Sequence, residues 1–236
     1  MKYIAHDLET VVLNSFYNYN EPTHRYASFD YCFNFFQNTT YVELENDIEK
    51  ACLQLSFYLA SWGMLRGSSF LLQKSAKHYE PLIKYLINLK KEDNDIWNID
   101  VDCYTKRNIK TILTIYEGIT TNILDKDSTN QTLTLNTKIM LGVFGCIPAF
   151  DQYFTETFRQ IFKHECGFRS VSEKALLALK KFYEENSDSV NSLQDKITTL
   201  DFATSSKGSL NYTKAKIIDM YGFAKRNQLS LMTSEI

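Results

Sequence analysis

Glycine and proline are scarce: the 236-residue chain holds eight glycines and three prolines, where average usage puts the two together near ~12% of residues. That shortage argues against turn-rich β sandwiches and against nucleotide folds built on glycine loops. Helices gain from it, because interior Gly and Pro cost them stability. Long apolar runs are also missing. No uncharged stretch approaches the roughly 18 residues that a membrane span needs, and the start, Met1-Lys2-Tyr3-Ile4-Ala5-His6-Asp7, lacks the apolar core of a signal peptide. A basic excess is absent: the formal net charge is −2 and the pI about 6.1. Non-specific nucleic-acid binders draw their affinity from neutralising phosphates and carry such an excess. Arginine supplies only six of the 26 basic residues, so each arginine draws more notice than the many lysines.

Metal chemistry finds little support. The five cysteines form no C-x-x-C pair, and His6, His24, His78 and His164 are scattered with no H-E-x-x-H arrangement. Asp93, Asp95, Asp100 and Asp102 bracket Trp97 in a pattern that suits an exposed acidic loop better than a two-metal site. We expect no metal, no cofactor, no disulfide and a cytoplasmic location.

What is present is apolar and aromatic. Hydrophobic residues make up 44% of the chain and aromatics 14%, enough to build a core. Apolar residues recur every three or four positions over 28–37, 43–64, 105–124, 138–144, 150–166 and 212–224, which predicts helices there. Pro81 suits the first turn of another, a short helix is expected over 68–79, and Ser170-Val171-Ser172-Glu173 reads as a capping box. The predicted fold is all-α: one compact, multi-helix, bundle-like domain over 1–236, with room for one short β-hairpin; 38–42 and 132–135 are the candidate short strands. The polar segment 125–131 is the best candidate for a subdomain boundary.

Three stretches invite chemistry. In the first, Trp62, Gly63, Arg66, Gly67, Ser68 and Ser69 crowd the end of an apolar helix. Arg66 with the hydroxyls of Ser68 and Ser69 suits a phosphate or carboxylate; the plainer alternative is a tight helix corner in which Arg66 pairs with an internal carboxylate. In the second, Lys138 and Asp151 flank an apolar, glycine-kinked connector. A lysine of lowered pKa attacks a sugar C1′ while a carboxylate steadies the developing cation, and the 138–151 stretch resembles helical DNA glycosylases in this. The Leu-Pro-Gly-Val-Gly order of their hairpin is absent: Leu141-Gly142-Val143-Phe144-Gly145 lacks the proline. The plainer alternative leaves Lys138 solvated and Asp151 as a helix cap. Cys146, with no partner histidine in sequence, reads as a core residue. In the third, Phe29, Tyr31, Phe33 and Phe35 point to more than one face of a single helix, which suits base stacking, a second layer, or a subunit interface.

The 25–36, 58–73 and 141–154 stretches together resemble a group of bacterial proteins that share YLASWGM-x-RGSSFLL and LG-x-x-GC-x-PA-[FY]-D-x-[FY]F. The resemblance implies a bacterial cytosolic protein and carries no activity with it. The expectation formed from these features is a non-catalytic accessory protein, homodimeric, acting in a bacterial defence or nucleic-acid-processing assembly such as a CRISPR-type nucleoprotein effector. One alternative is a glycosylase-like enzyme using Lys138 and Asp151, and another is a binder of small anions using Arg66 and Ser68.

Overall fold

A computed structural model describes residues 2–124, 132–163 and 165–234. It is helical throughout apart from one hairpin. The first helix, α1 (Leu8–Tyr19), turns Leu8, Val11 and Val12 inward. Its polar outer face of Asn and Tyr hides that short stripe in the sequence. Next comes α2 (Ala27–Asn38), which buries Phe29, Cys32, Phe33 and Phe36.

The helix expected over 43–64 is two helices. Thr40 and Glu43 form a reciprocal capping box at the start of α3 (Tyr41–Asn46). Asp47 then leaves helical geometry and its carboxylate accepts the Lys50 N–H, which starts α4 (Ile48–Ser61). An aspartate that bonds the backbone locally competes with the helix it interrupts. In place of the helix expected over 68–79 there are two 3₁₀ turns, Phe70–Gln73 and Ala76–Tyr79. Pro81 occupies the first turn of α5 (Glu80–Lys91), and Thr105 caps α6 (Lys106–Ile123). The proposed boundary at 125–131 lies outside the described residues, and one continuous apolar cluster draws on the helices before and after it.

The helix α7 (Leu133–Phe144) is buried on every face from Leu135 to Phe144. It is the central strut, with α2, α4 and α6 around it. Gly145 ends it at φ +67°, where a Cβ would strike Thr213 and Phe33. Asp151 caps α8 (Gln152–Phe162) through the Phe154 N–H. The cap of α9 (Glu173–Glu185) is Ser172, accepting from Ala175 N–H, and not Ser170. After α10 (Ser187–Lys196), strands β1 (Thr198–Leu200) and β2 (Lys207–Asn211) pair antiparallel, Thr198 opposite Asn211 and Leu200 opposite Lys207. The hairpin therefore falls at 198–211. The segments 38–42 and 132–135 are helix ends and their connections, since capping at Thr40 and burial of α7 outweigh their short β-prone runs. The last helix, α11 (Lys214–Ser234), lies along α8 and α1. Phe150, Phe154, Phe158 and Phe162 stack as a ladder on one side of α8, and Phe168 packs edge-on against all four. Among the described residues no helix is long and apolar enough to cross a membrane.

Candidate functional site

The corner after α4 sets the site. Met64 N–H bonds back to Leu59 O at 2.8 Å, and Gly63 at φ +77° makes the left-handed turn this ending requires. The turn holds Trp62 against the start of α2, where Tyr26 stacks on the indole at 4.7 Å and 21°. Phe223 of α11 meets both rings edge-on, at 5.8 Å and 6.1 Å.

Two buried lysine–aspartate pairs share this tryptophan. From α7, Lys138 Nζ lies 3.1 Å from Asp151 Oδ2, with side chains 4% and 15% exposed, and 5.0 Å from the Trp62 ring centre. From α11, Lys216 Nζ lies 2.9 Å from Asp219 Oδ2, 4.8 Å from Trp62 and 4.5 Å from Phe29. Each aspartate also fixes backbone. Asp151 Oδ1 accepts Phe154 N–H and Asp219 Oδ1 accepts Ala149 N–H, both at 3.0 Å. The connector around Pro148 is thereby tied to both pairs, and Thr137 Oγ1 adds a bond from Phe150 N–H. Buried charges persist where ion pairing, hydrogen bonding and cation–π contact together offset the lost hydration.

The outer pair opens on a cleft of about 500 Å³, whose lining includes Arg25, Tyr26, Trp62, Arg66, Lys138, Asp151 and Tyr153. Arg25 and Arg66 are exposed at its rim. Among the described residues neither makes an ion pair, so three cations face one carboxylate. Arg25 spreads over the Tyr26 ring at 4.8 Å, while Arg66 folds back over Gly63.

The inner pair lines a smaller chamber of about 50 Å³, walled by Tyr26, Phe29, Trp62, Tyr212 and Phe223 and reached also by Asp30. Tyr26, Trp62 and Phe223 line both hollows. Asp30 is 1% exposed. Its Oδ2 accepts Leu200 N–H at 2.9 Å, whereas Oδ1 has no hydrogen-bond partner among the described residues, and neither has Trp62 Nε1. Burial pushes the Asp30 carboxyl up to about 7, with Leu200 N–H, the Tyr212 hydroxyl and Lys216 pulling the other way.

The sequence-derived candidates divide. Lys138 and Asp151 meet, and Lys138 is buried instead of solvated, because α7 is the central helix. Arg66 is exposed and has no internal carboxylate among the described residues, so the buried-pair alternative gives way. Arg66, Ser68 and Ser69 line one open hollow of about 590 Å³ together, where Ser68 is exposed and Ser69 caps the 3₁₀ turn through Leu71 N–H; of that trio only Arg66 also reaches the cleft with Lys138. Phe29 and Phe33 are buried within this chain, Tyr31 and Phe35 half-buried. Tyr31 gives its hydroxyl to Pro22 O. Cys146 is fully buried, and burial raises its thiol far above the ordinary range, which suits a core residue.

Three of the four aspartates around Trp97 have separate roles. Asp95 pairs with Arg107 at 2.7 Å, Asp102 with Lys214 at 2.6 Å, and Asp100 accepts the N–H groups of Lys214 and Ala215 at the head of α11. Asp100 is thus a structural anchor and not a free loop residue. Among the described residues no group of His, Cys, Asp and Glu is placed to hold a metal.

Sequence reasoning passed over Lys216, Asp219 and Asp30. The i, i+3 spacing of Lys216 and Asp219 looks like an ordinary surface pair on a helix; only the packing of α11 against α2 and the Trp62 corner buries it. No protein-family model, curated protein or solved structure matches the chain.

Proposed function

We propose that this protein binds a small anionic molecule in the cleft beneath Arg25 and Arg66. The observation that carries the reading is the imbalance at the cleft among the described residues: three cations, one of them buried, against the single carboxylate of Asp151. Arginines without carboxylate partners offer planar, bidentate donors to phosphate or carboxylate. The flat Tyr26–Trp62 wall suits a ligand with a ring or sugar beside its charge. Calorimetric titration with inorganic phosphate and ribose 5-phosphate tests it. Saturable binding is expected, weakened at least about tenfold, or about 1.4 kcal/mol, in Arg66→Ala and further in Arg25→Ala/Arg66→Ala, with melting temperatures unchanged. Absence of binding, or an unchanged affinity in the double variant, refutes the reading.

A second reading draws on the 3.1 Å contact between Lys138 and Asp151. Once its proton has passed to Asp151, the Lys138 amine is a nucleophile that attacks a sugar C1′; the C1′–base bond breaks as the C1′–N bond forms, and the base leaves with the bonding pair and takes up a proton. The C1′–O4′ bond then breaks, O4′ taking the proton that the nitrogen gives up, and leaves an imine that borohydride, added with DNA carrying damaged bases, reduces to a stable amine. A cross-linked band lost in Lys138→Gln supports a base-processing enzyme, and no band at all removes it.

A further inference from the structure

The cleft does not end at Arg66. The open hollow of about 590 Å³ adjoins it at the Gly63 corner, and Gly63, Met64, Arg66 and Thr134 line both. Thr134 gives its hydroxyl to Phe150 O at 3.0 Å, which leaves the Arg66 guanidinium as the charged group where the two spaces meet. The spaces differ in chemistry. On the cleft side are rings: Tyr26 stacked on Trp62, and Tyr153, 37% exposed and edge-on to Phe223 at 5.0 Å. On the other side Met64, Phe70 and Leu135 supply apolar surface, and Ser68 and Ser69 supply hydroxyls. Ser69 Oγ accepts Leu71 N–H at 3.3 Å and keeps its own proton to donate. Among the described residues no carboxylate lines this second hollow, so nothing there repels an anionic ligand.

We infer that the ligand is a phosphodiester joining two nucleosides, with its phosphate at Arg66, one base against Tyr26 and Tyr153 in the cleft, and the second nucleoside against Ser68 and Ser69 in the hollow. The inference rests on the anion-binding reading of the cleft and names its ligand class. A terminal phosphate at Arg66 uses the space on one side only. An internal phosphate is substituted on both sides, and the site is open on both. Pockets of roughly 300–1,000 Å³ hold drug-sized ligands, and each of the two spaces falls in that range. Aromatic rings receive any base through its π-face. Hydroxyls beside apolar surface suit a second sugar and base, which offer polar edges around a flat body.

The test is calorimetric titration of the full chain with the four homodinucleoside monophosphates, the four matching nucleoside 5′-monophosphates and ribose 5-phosphate. At least one dinucleoside monophosphate is expected to bind at least about tenfold more tightly than its 5′-monophosphate, the gain that one added nucleoside contact supplies. The diester carries less charge than the monoester, so bulk electrostatics predicts the reverse order. Ser68 is exposed, and Ser68→Leu fills the second hollow at little risk to the fold. It is expected to abolish the preference while ribose 5-phosphate, which does not reach the hollow, binds as before. Tyr153→Ala removes a ring from the cleft wall. It is expected to weaken dinucleoside and mononucleoside phosphates in parallel, by several-fold, and ribose 5-phosphate little. If no dinucleoside monophosphate binds more tightly than its 5′-monophosphate, or if the preference survives Ser68→Leu, or if Tyr153→Ala leaves every nucleotide affinity unchanged, the diester inference is wrong while the anion reading stands on ribose 5-phosphate. If none of the compounds binds, both fall together.

Discussion

Asp30 is the most consequential single residue outside the cleft. Its carboxyl has an ordinary value of 3.8 and sits at about 7 in the folded chain, chiefly because it is buried. A raised carboxyl means the fold favours the protonated form. Its stabilising contribution is therefore complete below about pH 4, fades as pH climbs, and is gone above about pH 7. Three pH units amount to on the order of 4 kcal/mol. Asp30→Asn is neutral throughout and should flatten the dependence of stability on pH between 5 and 8, unfolding at higher urea than wild type at pH 8; an unchanged slope would show that Asp30 is ionised and compensated at both. Arg66 is the opposite case. It is exposed with no ion-pair partner among the described residues, so Arg66→Ala should move stability by no more than about 0.5 kcal/mol, read from the urea midpoint. A buried cation is different again. Lys138→Met strands Asp151, and we expect a loss of about 3–5 kcal/mol, much of it recovered in Lys138→Met/Asp151→Asn, where no charge is left unpaired.

Between elements, the closeness of α7 to α4 is set by one atom that is missing. At Gly142 a Cβ would sit 2.3 Å from Tyr58 Cε1, and Tyr58 cannot swing away easily because its hydroxyl donates to Lys138 O at 3.0 Å, locking the two helices together. In an exposed helix Gly→Ala gains about 1 kcal/mol. Here overpacking costs about 1–3 kcal/mol, so Gly142→Ala should lower the thermal midpoint, and by moving α7 it should also disturb Lys138 and weaken phosphate binding. Calorimetric melting with the same titration separates the two effects. A more stable Gly142→Ala protein would mean the Tyr58 ring has room to yield.

At the scale of the molecule, aromatic content and the two-sided face of α2 argue for a second layer or a second subunit. The chain provides the layer itself: α7, α4 and β1 cover α2, and Phe29 and Phe33 lie 1% and 5% exposed within one chain. With those rings already covered, the physical reason for a dimer at α2 is met internally, and light scattering at micromolar concentration should return the 27.5 kDa of a single chain. A doubled mass would place the interface on another surface, with the exposed Leu53 and Phe57 of α4 the first residues to change.

By itself the sequence determined the all-helical class, most helix positions and some of their caps, because these depend on local spacing: apolar residues three and four apart, Pro81 in a first turn, Thr105 and Asp151 at helix starts. It also singled out Trp62, Arg66, Lys138 and Asp151, since lysine and aspartate flanking an apolar stretch, or an arginine among glycines, stand out in one dimension. Only tertiary structure decided that Lys138 is buried, that Arg66 is not, and that Lys216, Asp219 and Asp30 belong to the same centre. Those facts depend on which faces of α2, α7 and α11 converge on the corner at Gly63. Burial is a property of neighbours distant in sequence, Trp62 and Tyr58 for Lys138 and Phe29 for Lys216, and a helix's own sequence does not encode who they are.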